Sequence, residues 1–508
     1  MKKLFSVLLV LSLLLSFASC GAQMDSAAPS VDRNQMFDAE YEKAEDAGAG
    51  KPDESDPEKP TFRENPFVAT LEQPVSTFSA DVDTASYTYF RKLVNNGCGF
   101  AYLQDLGASF RTEEFINYFK YESNAPQNGE LFGVKAEIAQ TPWNANTVLM
   151  RLTLQAEEAM PEGGNNLVFL IDVSGSMSST DKLPLLKKTF SYLTSQLTEK
   201  DRVSIVTYSG KEEVVLAGCP GNESERILEA INSLKASGST NGQAGLHKAY
   251  ALAADYMIEN GNNRIIMASD GDLNVGISSA EELKQYVETK RDLGIFLSVL
   301  GFGTGNYRDP NMEALADNGN GVYYYIDGES EAERIFGTDL LSTLYTVAKD
   351  VKLQITFDPA AVSSYRLIGY ENRILNQEDF EDDTKDAGEV GAGHRVTVCY
   401  ELTLTNRTDE VSEWMKLAVR YKRPTEDTSI LNEYVIGAAN CTETPSADFK
   451  FIAAVTQMAM LLHRSSYLDK DFTVAQVLEE LTAMDLTQYP ERAEFRTLVQ
   501  KLANQSAG

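Results

Sequence analysis

The sequence predicts an α/β protein in which a doubly wound, mostly parallel sheet is inserted into an antiparallel β-structure, with helical segments at both ends. Two observations carry this. Between about residues 165 and 350, nearly continuous apolar runs such as "LVFLI", "RVSIVTY", "RIIMAS" and "GIFLSVLGFG" alternate with helical stretches. Runs of that kind are covered on both faces, as in a parallel sheet flanked by helices. On either side of this block the strands alternate apolar and polar residues instead, the period of half-exposed antiparallel strands.

The chain has 508 residues, enough for about three or four domain-sized units. Its hydrophobic content of 43 % is ample for globular cores. The formal net charge is -30. So acidic a balance argues against nucleic acid, which needs a basic face, and against docking on anionic lipid by charge alone.

Residues 1–20 read as a secretory signal. Lys2 and Lys3 precede a short apolar run from Leu4 to Phe17, and Ala18, Ser19, Cys20 and Gly21 follow. The "FASC" ending resembles a bacterial lipoprotein cleavage box, which makes Cys20 the expected lipidation site. The expected location is then the cell envelope, with a lipid anchor in the outer membrane, on its periplasmic or surface face. An ordinary cleaved signal with an incidental cysteine is the alternative. Residues 21–75, with "AEDAGAGKPDESDPEKP", are too polar to offset their ordering entropy and read as a disordered acidic tether.

Residues 76–164 form an N-terminal helical and β extension. "DTASYTYFRKLVNNG" reads as a helix with Asp83 or Thr84 as N-cap and Gly97 as its stop. Asp81 and Asp83 look like a paired-carboxylate motif, but capping explains them more simply. "FGVKAEIAQ" and "MRLTLQ" then alternate as strands. Residues 165–350 are the doubly wound unit, with helices over "DKLPLLKKTFSYLTSQL", "ERILEAINSL", "GQAGLHKAYALAADYMIEN" and "AEELKQYVETKRDLG". Residues 351–445 form an antiparallel β domain, with "KLQITF", "RVTVCYELTL" and "WMKLAVRYKR". Cys399, between Val398 and Tyr400, is expected on the polar face of its strand. Residues 446–508 are a helical segment, with Phe449, Ile452, Val455, Ala459 and Leu462 on one face. Export permits disulfides among Cys98, Cys219, Cys399 and Cys441, and the sequence does not choose a pairing.

One constellation carries chemistry. Asp172 closes the first apolar strand, with Ser174 and Ser176 two and four residues on. The loop "SGSTNG" offers Thr240, and Asp270 ends the strand "RIIMAS". Ligands of open α/β sheets gather at the carboxyl ends of the strands. Two carboxylates and three hydroxyls, with no soft donor, suit Mg²⁺, or else Mn²⁺ or Ca²⁺. One coordination position should stay open to an outside oxygen, such as a partner's carboxylate. Asp272 could bind a water of such a site, although a turn cap is the simpler reading.

"DVSGSM" with Thr240 and "SDGD" resembles the metal-ion-dependent adhesion site of von Willebrand factor type A domains. That pattern is Asp-x-Ser-x-Ser, a distant Thr and a distant Asp before Gly, and all five positions match. The resemblance implies a Rossmann-like domain whose serines and threonine ligate the metal while its aspartates act partly through water. "ADVDTASYTYFRKLV", "GGNNLVFLIDVSGSM", "GFGTGNYRDPNMEALADNGNGVYYYID" and "YRLIGYENR" are similar to a group of bacterial envelope proteins. Those place a type A domain between an amino-terminal extension and a carboxy-terminal domain.

The expected function is therefore metal-dependent binding of a protein ligand that supplies an acidic residue, without catalysis. Two alternatives stay open. One is an envelope scaffold whose metal only staples the fold. The other is a Mg²⁺-dependent phosphatase of the haloacid-dehalogenase type. "SDGDLN" mimics that family's late motif, but Ser174 stands where it needs an acid. A serine hydrolase is disfavoured, because "VSGSM" is not a G-x-S-x-G elbow. His247 and His463 read as packing or surface residues, His394 precedes a strand with no acidic-nucleophilic setting around it, and "GFGTGN" reads as an ordinary strand-to-helix loop.

Overall fold

The computed structural model describes residues 62–159, 163–239, 242–271, 280–303, 310–424 and 426–506. Strands β1 (Val68–Ala69) and β2 (Val75–Ser79) lead into helices α1 (Ala85–Asn95), α2 (Phe100–Asp105) and α3 (Thr112–Asn117). Gly97 ends α1 as expected: at φ +89 it adopts the left-handed geometry that glycine tolerates, and its N–H donates to Val94 O at 3.1 Å. The start of α1 differs from expectation. Thr84 stands at the N-cap without a side-chain hydrogen bond to the helix. Asp81 Oδ1 accepts the Asp83 N–H, and Asp83 Oδ1 accepts the N–H of Tyr323, 240 residues away. Both carboxylates are buried beside Arg373, so a tertiary ion-pair cluster has displaced the local cap.

Strands β3 (Phe132–Gln140) and β4 (Val148–Ala156) follow, and then the central unit begins. It comprises β5 (Asn165–Asp172), α4 (Leu183–Ser195), β6 (Arg202–Tyr208), β7 (Glu213–Pro220), α5 (Ser224–Ser233), α6 (Gly242–Asp255), β8 (Asn262–Ser269), α7 (Ala280–Arg291), β9 (Ile295–Phe302), α8 (Pro310–Asn318) and β10 (Tyr323–Ile326). The strands order as β10-β9-β8-β5-β6-β7, parallel except for the edge strand β7. Within β5 the side chains divide by parity. Leu167, Phe169 and Ile171 share a core with Leu186, Phe190 and Leu193 of α4. Val168 and Leu170 share another with Leu246, Ala249 and Tyr250 of α6. Phe169 stacks on Phe190 with centroids 4.2 Å apart. Burying each such side chain contributes about 1.5–3 kcal/mol, which holds a helix layer on both faces. The chain leaves β5 toward β6 on one side, and β8 flanks it on the other, so the strand order reverses at the end of β5.

Past residue 345 come β11 (Thr346–Phe357), β12 (Val362–Ile368), β13 (Gly388–Gly391), β14 (Arg395–Leu404), β15 (Glu413–Lys422) and β16 (Ile430–Gly437). Strands from before the central unit pair with strands from after it: β4 with β14, and β2 with β11. The insertion expected from the sequence is therefore real, although the surrounding β-structure is two sheets, not one. One is β1-β12-β14-β4-β3; the other is β13-β11-β15-β16, with β2 on β11. They pack face to face through rings such as Phe357 and Tyr400, 5.6 Å between centroids.

The first of these sheets is not half-exposed. Helices α1 to α3, together with α9 (Ala447–Leu462), α10 (Val474–Thr482) and α11 (Pro490–Ser506), cover the face that the sequence marks as polar. Cys399 lies on that face, yet it is fully buried in the helical core with Leu149 and Ile368. The charged residues there pair internally: Arg151 with Glu137 at 2.9 Å, and Arg366 with Glu401 at 2.7 Å. Alternation predicts which side chains share a face but not what covers it. All four described cysteines are free thiols. No helix among the described residues is long and apolar enough to cross a membrane.

Candidate metal centre

The reversal of strand order at β5 opens a crevice at the carboxyl edge of the sheet, and Asp172 ends β5 at its mouth. The carboxylate is fully buried. Its Oδ1 accepts the Ser174 N–H at 2.8 Å, and its Oδ2 accepts the Ser269 hydroxyl at 3.4 Å. The first bond folds the chain back on itself, which is what a short carboxylate side chain does at a strand end. A single 3-10 turn, Gly175–Ser178, follows, anchored by Met177 in the core. It brings the Ser174 and Ser176 hydroxyls within 3.0 Å of each other, with Ser174 buried and Ser176 open to solvent.

Two backbone bonds hold the next loop alongside. Ser237 N–H donates to Val173 O at 2.7 Å, and Gly175 N–H donates to Gly238 O at 3.0 Å. Thr240 itself lies outside the described residues, as do Asp272 and Cys20.

From the neighbouring strand β8 comes Asp270. Its Oδ2 accepts Lys182 Nζ at 2.8 Å. Its Oδ1 is buried with no hydrogen-bond partner among the described residues. Lys182 reaches it past Gly303, at the end of β9. That residue has φ +84, and a Cβ on it would come within 2.4 Å of Lys182 Cε. Burial raises the Asp172 carboxyl to about 6. Hydrogen bonds from Ser174 oppose the rise, and the charge of Asp270 adds to it.

The described part of the constellation thus converges on one edge: Asp172, Ser174 and Ser176 on one loop, and Asp270 on the adjacent strand. Every donor is a hard oxygen, and one buried carboxylate oxygen has no partner among the described residues. That is the donor set a small divalent cation requires. Sequence reasoning missed Lys182 and Ser269. Lys182 sits in the polar stretch "SSTDK", which reads as a plain loop before a helix, and nothing local marks it as a partner of Asp270. Ser269 is visible only as the residue preceding Asp270. The histidines have other neighbours: His247 rests edge-on against Tyr286, His463 stacks on Phe62, and His394 lines a cavity with Arg334 and Asp339.

Comparison with known proteins gives the following. The family model for the von Willebrand factor type A domain matches residues 166–338, and one described as von Willebrand factor matches residues 55–151. A third, described as uncharacterized protein YfbK, C-terminal, matches residues 342–504. The chain is similar to the uncharacterized protein YfbK of Escherichia coli (strain K12), at 38 % identity over 467 residues, covering 86 % of this chain and 80 % of that protein. It is similar to the human inter-alpha-trypsin inhibitor heavy chain H3 at 28 % identity over 189 residues, covering 35 % of this chain and 21 % of that one. Among solved structures, a von Willebrand factor type A protein from Catenulispora acidiphila aligns with a TM-score of 0.41 at 17 % identity, covering 76 % of this chain and 89 % of that one.

Proposed function

Because the chain belongs to the family of the bacterial protein YfbK, with a von Willebrand factor type A domain ahead of a YfbK-type C-terminal domain, we propose that it binds a protein partner through a divalent metal ion. Domains of this type commonly bind such an ion and mediate protein–protein interaction and adhesion. Asp172, Ser174, Ser176, Thr240 and Asp270 would hold Mg²⁺, with Mn²⁺ or Ca²⁺ as substitutes. When bound, the ion supplies a local positive charge on a strongly acidic protein, able to take a carboxylate from the partner. The observation that supports this most directly is the meeting of Asp172, the two serine hydroxyls and an Asp270 oxygen without a partner among the described residues, at the point where the strand order reverses. The chain's own residues fix the geometry: the Asp172–Ser174 turn sets the serines, and Met177 pins the turn.

The membrane attachment is part of the same proposal. Cys20 would carry the lipid, and residues 21–61 would let the folded part stand away from the envelope surface; residues 62–75, expected in the tether, belong to the folded part, where β1 pairs with β12 and Phe62 stacks on His463. No catalytic role is assigned.

Isothermal titration with Mg²⁺ tests the ion. Wild type is expected to bind, and Asp172→Ala to lose binding; equal affinity in both would sink the reading. A pull-down from envelope extract, with and without chelator, tests the partner. A partner retained in both conditions would place the interaction elsewhere. Incorporation of labelled palmitate, lost in Cys20→Ser, tests the anchor.

A further inference from the structure

At the opposite edge of the central sheet from Asp172, a second group of oxygens converges. The loops there precede β9 and β10, whereas Asp172 and Asp270 follow β5 and β8. Strand β11 slips register against both neighbours near Asp350, between Ala348 and Val351 on β13 and between Lys349 and Lys352 on β15. Beside this slip, the carboxylates of Asp350, Asp386 and Glu389 each offer an oxygen, all within 4.8 Å of one another.

Two of the three have a cationic partner: Lys422 Nζ is 2.7 Å from Asp350, and Arg291 Nη1 is 3.0 Å from Asp386. Glu389 has none. It is only 7 % exposed, and its Oε1 is buried without a hydrogen-bond partner among the described residues. Asp386 and Glu389 also wall a cavity of about 300 Å³ with Asp81, Asp83, Asp317 and Arg373. The cavity wall therefore presents five carboxylates and one cation, and Arg373 is already engaged by Asp81, Asp83 and Asp317. A buried carboxylate without a counter-charge is unfavourable unless it binds a proton or a cation.

We infer that Asp350, Asp386 and Glu389 form a second divalent cation site of Ca²⁺ chemistry, at the seam between the central domain and the antiparallel sheets. The donors are all hard oxygens. Three carboxylates exceed the one or two through which Mg²⁺ is usually held, and they suit the larger, more flexibly coordinated Ca²⁺. Waters from the cavity complete the six to eight ligands that Ca²⁺ takes, roughly. Bound there, the ion ties the loop before β13, through Asp386, to the slipped segment of β11, through Asp350.

Equilibrium dialysis of the full chain against radioactive Ca²⁺ tests the site. Glu389→Gln and Asp386→Asn are each expected to lower bound Ca²⁺ by one ion per chain, both in wild type and in Asp172→Ala. Asp386 is 47 % exposed, so its variant should fold even where Glu389→Gln does not, and a thermal melt checks this. Unchanged stoichiometry and affinity in folded Asp386→Asn would overturn the inference, as would an Asp172→Ala protein that binds no Ca²⁺. Mg²⁺ titration of Asp386→Asn reads the first centre alone, so the two assignments fail separately.

Discussion

Lys182 donates to Asp270 from 2.8 Å, and the other oxygen of that carboxylate is buried without a partner among the described residues. One carboxylate thus faces an internal cation on one side and the candidate metal position on the other. Removing the ammonium should leave more negative charge for the ion. Lys182→Met is expected to tighten Mg²⁺ binding by about tenfold, ~1.4 kcal/mol, measured by titration calorimetry. A weaker affinity would mean that Lys182 instead holds Asp270 in position.

Ser176 and Met177 are adjacent but should behave oppositely. Ser176 is exposed, so Ser176→Ala should change stability by less than about 0.5 kcal/mol while weakening Mg²⁺ binding. Met177 is fully buried in the core, and Met177→Ala should cost about 2–5 kcal/mol by urea denaturation.

Arg91 ties three distant segments together. Its guanidinium, 4 % exposed, reaches Asp327 at 2.6 Å, Glu331 at 2.8 Å and Glu494 at 3.2 Å. Arg91→Leu would leave Asp327 buried and uncompensated and Glu331 held by Arg334 alone, with an expected loss of about 3–5 kcal/mol. Glu494→Gln, at a 40 % exposed position, should cost under about 1 kcal/mol in the same urea series.

Thiol labelling separates the cysteines by depth. In a Cys20→Ser background under native conditions, Cys441 should react first and Cys98 more slowly. Cys219 and Cys399 should react only after unfolding. Prompt reaction of Cys399 would contradict the helical cover on its face of the sheet.

His463 should shape the acid limb of stability. Its ring nitrogens are buried without hydrogen-bond partners among the described residues, and burial lowers its pKa to about 3. The unfolded chain takes up a proton near the ordinary 6.5, while the folded chain resists until about 3. The contribution is therefore fully present above 6.5 and is lost progressively as pH falls through that window. His463→Phe should flatten this limb in pH-dependent melts. It should also stabilise by about 1 kcal/mol at neutral pH, because an unsatisfied polar ring is removed.

Much of the fold is legible in the residues. The runs ending at Asp172, Tyr208 and Ser269 become strands at those places because continuous apolar character marks burial on both faces. Gly97 stops its helix because the left-handed turn needs it. The edge strand β7 escapes notice because its half-exposed residues break the apolar run. Asp81 and Asp83 were legible only as a local pair. Their partners, Tyr323 and Arg373, lie 240 and 292 residues from Asp83 and Asp81 respectively. Glu389 carried no local signal at all, since an acidic residue in so short a strand as β13 looks solvated until the sheet that buries it is known.

By itself the sequence determined the alternation of strands and helices, the insertion of one unit within another, and the hydroxyl and carboxylate spacing around Asp172. Each of these is a local pattern, because a side chain's periodicity reports the burial of its own element. Only the tertiary structure decided that the polar face carrying Cys399 is covered, that Lys182 meets Asp270 across 88 positions, and that Glu389 is buried with an oxygen unpartnered among the described residues. Those outcomes depend on which elements pack together, and the free energy of an ion pair or a buried charge is set by neighbours in space that chain order does not reveal.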